Sequence, residues 1–226
     1  MKDLIAGVRR FQRHVYPQKR RHFAKLSKGQ SPPYLFITCS DSRVQPAEFL
    51  QSDAGDLFVE RSIGNIVPPA GSDETEAQAA VEYAVKALGV SHIIVCGHAR
   101  CGAIQALLSP AKLEGMPIVK RWLSHAEETR RIVAAKHRDL EGDELLDAAI
   151  RENVVVQMKH VRALPMMAEP LESGQVSVHG WVYEFEHGRV DVYDEPSGWF
   201  VPMAVAYLGA VPAARPVVKR KRGPAT

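Results

Sequence analysis

Two short apolar runs constrain this chain most: Tyr34-Leu35-Phe36-Ile37-Thr38 and His92-Ile93-Ile94-Val95-Cys96. Each passes without a spacer into a polar turn, Cys39-Ser40-Asp41-Ser42-Arg43 after the first and Gly97-His98-Ala99-Arg100-Cys101-Gly102 after the second. Apolar runs of this length, bounded by breakers such as Ser31-Pro32-Pro33, read as buried strands. Between them, Ser72 to Leu88 predicts a helix. Asp73, Glu74 and Glu76 suit its positive end; Ala77, Ala80, Val81, Ala84, Val85 and Leu88 form one apolar face; Gly89 stops it. Strands alternating with helices predict an α/β fold with a mainly parallel central sheet and crossover helices. Chemistry in such sheets collects beyond the carboxyl ends of the strands, where both turns fall.

The rest of the chain extends this plan. Leu4, Ile5, Val8, Phe11 and Val15 recur at helical spacing until Pro17, and a second helix covers Gln18 to Leu26, giving an N-terminal helical arm over 1–30. Leu57-Phe58-Val59 is a further short strand, Gly102 to Leu108 a helix, and Ile118 to His137 and Asp143 to Leu164 longer helical stretches. Val176 to Phe185 alternates like a strand. His187-Gly188 then predicts a turn into Arg189 to Tyr193, an added antiparallel strand. A single domain is expected over 1–212, followed by a basic, disordered tail over 213–226 that carries Lys219-Arg220-Lys221-Arg222.

The net charge of +3, part of which sits in that run, gives no case for a nucleic-acid or membrane partner. No apolar run approaches the ~20 residues of a bilayer span, and Met1-Lys2-Asp3-Leu4-Ile5 lacks the apolar core of a signal peptide. The three cysteines, Cys39, Cys96 and Cys101, form no disulfide framework. A reducing cytoplasm follows as the expected location, where thiolates are free to bind metal.

Parallel neighbours bring Cys39, His98 and Cys101 together: two thiolates and an imidazole, the donors zinc favours in a tetrahedron. Three protein ligands leave one position open, which marks a catalytic zinc. Cys96 lies inside its strand and reads as core. Asp41 admits two readings, a fourth ligand or a partner of Arg43, whose planar guanidinium fits a carboxylate bidentately.

With these turns stand Gly55-Asp56-Leu57-Phe58-Val59-Glu60-Arg61 and Gly64-Asn65-Ile66-Val67-Pro68-Pro69, and in this order the motifs resemble the beta-class carbonic anhydrases. The resemblance runs from about Leu4 to Leu108 and more loosely to Tyr193. It implies a zinc enzyme with one Zn2+ per chain that interconverts CO2 and bicarbonate and self-associates as a dimer or tetramer. Carried over by residue, it implies Cys39, His98 and Cys101 as metal ligands and Asp41 with Arg43 as the catalytic pair. The open-site subfamily adds Gln30 as an active-site amide, Phe58, Ile63 and Tyr83 as an apolar substrate pocket, and Gly102 as a backbone donor to substrate. A second, bicarbonate-regulated subfamily carries a tryptophan where this chain has Phe36, and R-N-x-A-N reads Arg61-Ser62-Ile63-Gly64-Asn65 here. Two alternatives share the scaffold: hydrolysis of CS2 or COS, and a zinc-binding assembly protein without catalysis. Retention of Asp41, Arg43 and Gln30 speaks against the latter.

Overall fold

The computed structural model describes residues 1–73 and 75–208, so Glu74 and the expected tail over 213–226 lie outside the described residues. The chain opens with α1 (Lys2–Arg10) and α2 (Tyr16–Leu26), joined by a π-helical turn over Phe11–Val15. Pro17 does not break this run as the sequence suggests. The helix widens just before it, so that the Tyr16 N–H donates to the Phe11 carbonyl five residues back, and the ring fits the first turn of α2.

The strands β1 (Tyr34–Cys39), β2 (Leu57–Ser62), β3 (His92–His98), β4 (Ser177–Glu184), β5 (Arg189–Asp194) and β6 (Trp199–Pro202) form one sheet in the order β2-β1-β3-β4-β5-β6. The first four are parallel, while β5 and β6 add antiparallel. The expected sheet and added strand are therefore present, and β6, unread in the sequence, extends the edge. The one-turn helix α3 (Pro46–Phe49) follows β1. The helix expected from Ser72 is α4 (Glu76–Tyr83), continued by a π-helical turn over Ala84–Leu88. It starts later because Thr75 is its cap: Thr75 Oγ1 accepts from the Gln78 N–H while Gln78 Oε1 accepts from the Thr75 N–H. Ser72 instead donates to the Pro69 carbonyl, 2.7 Å away. Gly89 ends the helix with a left-handed φ of 68°.

Then come α5 (Gly102–Leu108), α6 (Pro117–Leu123), α7 (Glu127–Lys136), α8 (Gly142–Ala163), α9 (Ala168–Glu172) and α10 (Met203–Leu208). The expected helix from Ile118 to His137 is thus two helices, joined through a 3-10 turn at Ser124–Ala126.

The main core lies on one face of the sheet. Leu35, Ile37 and Cys39 of β1 and Ile93 and Val95 of β3 pack there with Ala77 and Val81 of α4 and Ile150, Val154 and Met158 of α8. Two glycines let α8 lie this close. A Cβ on Gly97 would stand 2.8 Å from Val154 Cγ2, and one on Gly180 would stand 2.3 Å from Met158 Sδ. Cys96 is wholly buried on the opposite face with Phe36 and Ile94, as expected for a core thiol.

Candidate metal centre

Cys39 is the last residue of β1 and His98 the last of β3. The strands are parallel neighbours in register, Thr38 opposite Cys96, so both side chains leave the sheet at one end. Arg100 then takes a left-handed φ of 55°, and this tight turn returns Cys101 to the same spot as the residue preceding α5. The two Sγ atoms and a His98 ring nitrogen all lie within 4.8 Å of one another, and all three residues are buried.

The local bonding fixes what this trio presents. His98 Nδ1 lies 2.9 Å from the Ala99 carbonyl. A carbonyl only accepts, so Nδ1 carries the hydrogen and Nε2 offers a lone pair. That Nε2 is buried without a hydrogen-bond partner. An orphaned buried acceptor is costly unless something fills its place. Cys39 Sγ accepts from the Gly64 N–H at 3.3 Å. Its hydrogen bond with Cys101 pulls the Cys39 thiol down to about 4, and the same bond with burial pushes Cys101 well above its ordinary range. A divalent cation would find two sulfur donors and the idle Nε2 here, so the residues fit a soft or borderline metal.

Beside the trio, Asp41 pairs with Arg43. Arg43 Nε donates to Oδ1 at 2.9 Å, Nη2 donates to Oδ2 at 2.7 Å, and the Arg43 backbone N–H adds a bond to Oδ1 at 3.0 Å. The Arg43 side-chain hydrogen bonds hold the Asp41 carboxyl well below the usual carboxylate range. Asp41 Oδ2 nevertheless stands 3.8 Å from His98 Nε2, at the edge of the trio. Arg43 is steadied in turn by the Arg100 carbonyl, 3.0 Å from Nη2, and by the Phe185 ring, 4.7 Å from its guanidinium carbon.

Other expected residues divide by position. Ile63 follows β2, whose last residue Ser62 is opposite Cys39, and Gly102 opens α5 directly after Cys101. Both stand at the metal end of the sheet. Phe58 is opposite Leu35, four residues before the end of β1, or about 13 Å at ~3.3 Å per residue. Tyr83 packs on Phe58 with ring centroids 5.8 Å apart, and the exposed Gln30 precedes the start of β1. Within one chain these three are remote from the trio.

Sequence reasoning missed several supports. Arg61 donates to the carbonyls of Cys39, Asp41 and Val44 at 2.8–3.1 Å, organising the whole turn after β1. Phe185 under Arg43 carried no signal beyond its aromaticity. Asn153 and Gln157 are wholly buried polar residues on α8; their place on its apolar face was the available clue.

Comparison with known proteins agrees with this geometry. The family described as carbonic anhydrase matches residues 34–190. A carbonic anhydrase of Pseudomonas aeruginosa is 46% identical over 204 residues, covering 90% of this chain and 92% of its own. Among solved structures, the beta-carbonic anhydrase CcaA superposes with a TM-score of 0.87 at 44% identity, covering 89% of this chain and 91% of that one. One of two tetrameric beta-carbonic anhydrases from Sordaria macrospora superposes with a TM-score of 0.77 at 30% identity, covering 84% and 95%. With motifs, sheet order and a Cys–His–Cys metal trio in agreement, the chain belongs to the beta-class carbonic anhydrases, enzymes that interconvert CO2 and bicarbonate.

Proposed function

We propose that the metal is zinc, one per chain, held by Cys39, His98 and Cys101 with a fourth position open for catalysis. The observation that carries this reading is the buried, unpartnered His98 Nε2 grouped with the Cys39 and Cys101 sulfurs, all within 4.8 Å of one another. Zinc would supply a Lewis acid that brings a coordinated water toward ionisation near neutral pH, an effect for which carbonic anhydrase is itself the reference example.

The chain's own residues supply orientation and exclusion. Asp41, kept ionised by Arg43 and 3.8 Å from His98 Nε2, would accept a hydrogen from solvent beside the metal and orient it toward CO2. Arg43 also holds the carboxylate back from the metal through its fork. The Gly102 N–H and the Gln30 amide orient substrate oxygens, and Phe58, Ile63 and Tyr83 line an apolar slot for an uncharged gas. Because Gln30, Phe58 and Tyr83 lie at the far end of the sheet, we assign them to the metal centre of a second copy. Self-association as a dimer or tetramer is supported by α1, whose Leu4, Val8 and Phe11 are 70%, 56% and 40% exposed, and by the tetrameric relative above. None of the helices is long and apolar enough to cross a membrane among the described residues. Three free thiols suit a reducing cytoplasm.

Metal analysis with X-ray absorption, alongside stopped-flow CO2 hydration, tests the assignment. The expected result is about one zinc per chain with two sulfurs and one nitrogen in its shell. Stoichiometric zinc persisting in a Cys39→Ala, Cys101→Ala double variant would overturn it.

A further inference from the structure

The segment after β2 is buried yet belongs to no regular ladder. Gly64, Asn65, Ile66 and Val67 are all buried, and Gly64 and Asn65 both take left-handed backbone, with φ of 76° and 49°. Gly64 cannot be replaced cheaply, since a Cβ there would stand 3.2 Å from the Ala103 Cβ. Buried backbone groups must find partners, and here side chains from distant elements provide them. Asn153 Nδ2 donates to the Gly64 carbonyl at 3.1 Å. Gln157 Oε1 accepts from the Val67 N–H at 2.9 Å, and His160 Nδ1 lies 2.8 Å from the Val67 carbonyl. These three residues fall four and three apart on α8, so they share one face. Asn153 is the hub. Its Oδ1 accepts from Gln157 Nε2 at 3.0 Å and from Thr129 Oγ1 of α7 at 3.1 Å. Asn153, Gln157 and Thr129 are wholly buried, so the network is shielded from water.

Gly64 joins this network to the metal trio. Its carbonyl is held by Asn153 and its N–H donates to Cys39 Sγ. We propose that Asn153 is a positioning residue for the metal centre: through the Gly64 carbonyl it holds the turn that aims the Gly64 N–H at the Cys39 sulfur. The inference rests on the reading of Cys39 as a zinc ligand. Among the described residues the Thr129 hydroxyl bonds to Asn153 and does not reach Gly64, so it separates positioning from plain core stability. Groups that orient metal ligands in this way typically govern affinity by about 10–100-fold.

The test compares Asn153→Leu and Thr129→Val with the unaltered chain. Gly64 amide hydrogen exchange is followed by NMR in metal-free protein, and zinc affinity by competition with a chelator. Asn153→Leu should speed Gly64 exchange about 10-fold or more and weaken zinc binding about 10–100-fold. Thr129→Val should lower Tm while leaving Gly64 exchange and zinc affinity within about 3-fold. If Asn153→Leu does not fold, Asn153→Ser, too short to reach the Gly64 carbonyl, takes its place with the same expectations. Unchanged Gly64 exchange, unchanged zinc affinity, or equal losses in Thr129→Val each overturn the proposal. An unaltered chain that binds no zinc overturns the metal assignment instead, while the Gly64 exchange arm still reads the Asn153 contact without metal.

Discussion

Replacing Arg43 with alanine removes the fork on Asp41 and leaves Cys39, His98 and Cys101 in place. The lost contacts are the bonds from Nε at 2.9 Å and Nη2 at 2.7 Å, together with the cation–π contact on Phe185 at 4.7 Å. Charge-assisted bonds of this kind are worth roughly 1.5–3 kcal/mol each when sheltered. Arg43 is 47% exposed, so solvent screening brings the pair nearer the ~1 kcal/mol of a surface bridge, and the aromatic contact adds about 0.5–1 kcal/mol. The bond from the residue's own backbone N–H survives in the variant. A net loss of about 2 kcal/mol shifts the balance between restrained and released carboxylate roughly 30-fold. Asp41 Oδ2 already stands 3.8 Å from His98 Nε2, so a released carboxylate would have a short path to the proposed metal position. Arg43→Ala should therefore keep its zinc, gain an oxygen ligand from the protein by X-ray absorption, and lose hydration activity about 10–100-fold in stopped-flow assays. Asp41→Ala should lose activity comparably without the added ligand. Turnover near that of the unaltered chain in either variant would refute the reasoning and remove the pair from catalysis.

Two further outcomes are expected. Burial pushes the Cys96 thiol up to about 12 from an ordinary value of 9.0, so the folded chain keeps it protonated while the unfolded chain ionises it earlier. Its contribution to stability is full below about pH 9 and is lost as pH rises toward 12, at roughly 1.4 kcal/mol per pH unit. Denaturant titrations of Cys96→Ala should lack this loss and retain zinc; a variant that folds without zinc would mean Cys96 is a ligand. Light scattering at micromolar concentration should give a dimer or tetramer, and Leu4→Glu with Val8→Glu should shift it toward monomer with reduced activity; a fully active monomer would show that one chain completes its own site.

The sequence by itself determined the local facts. The apolar runs at Tyr34 and His92, the helical stripe ending at Gly89 and the turns carrying Cys39, His98 and Cys101 were legible because periodicity, breakers and ligand chemistry act over a few residues. Parallel pairing then obliged the two turns to meet. Boundaries that depend on side-chain reach were not legible: α4 starts at its Thr75 cap rather than Ser72, and Pro17 is absorbed by a π-helical turn. Tertiary structure alone decided how the site is held. Asn153 lies 89 residues from Gly64, Arg61 reaches back to the Cys39 carbonyl, and Phe185 arrives from the end of β4 to face Arg43. It also decided that Phe58, with Tyr83 packed on it, pairs with Leu35, four residues along the sheet from Cys39. Such contacts depend on the register and direction of strands far apart in sequence, and a local pattern carries no measure of that distance.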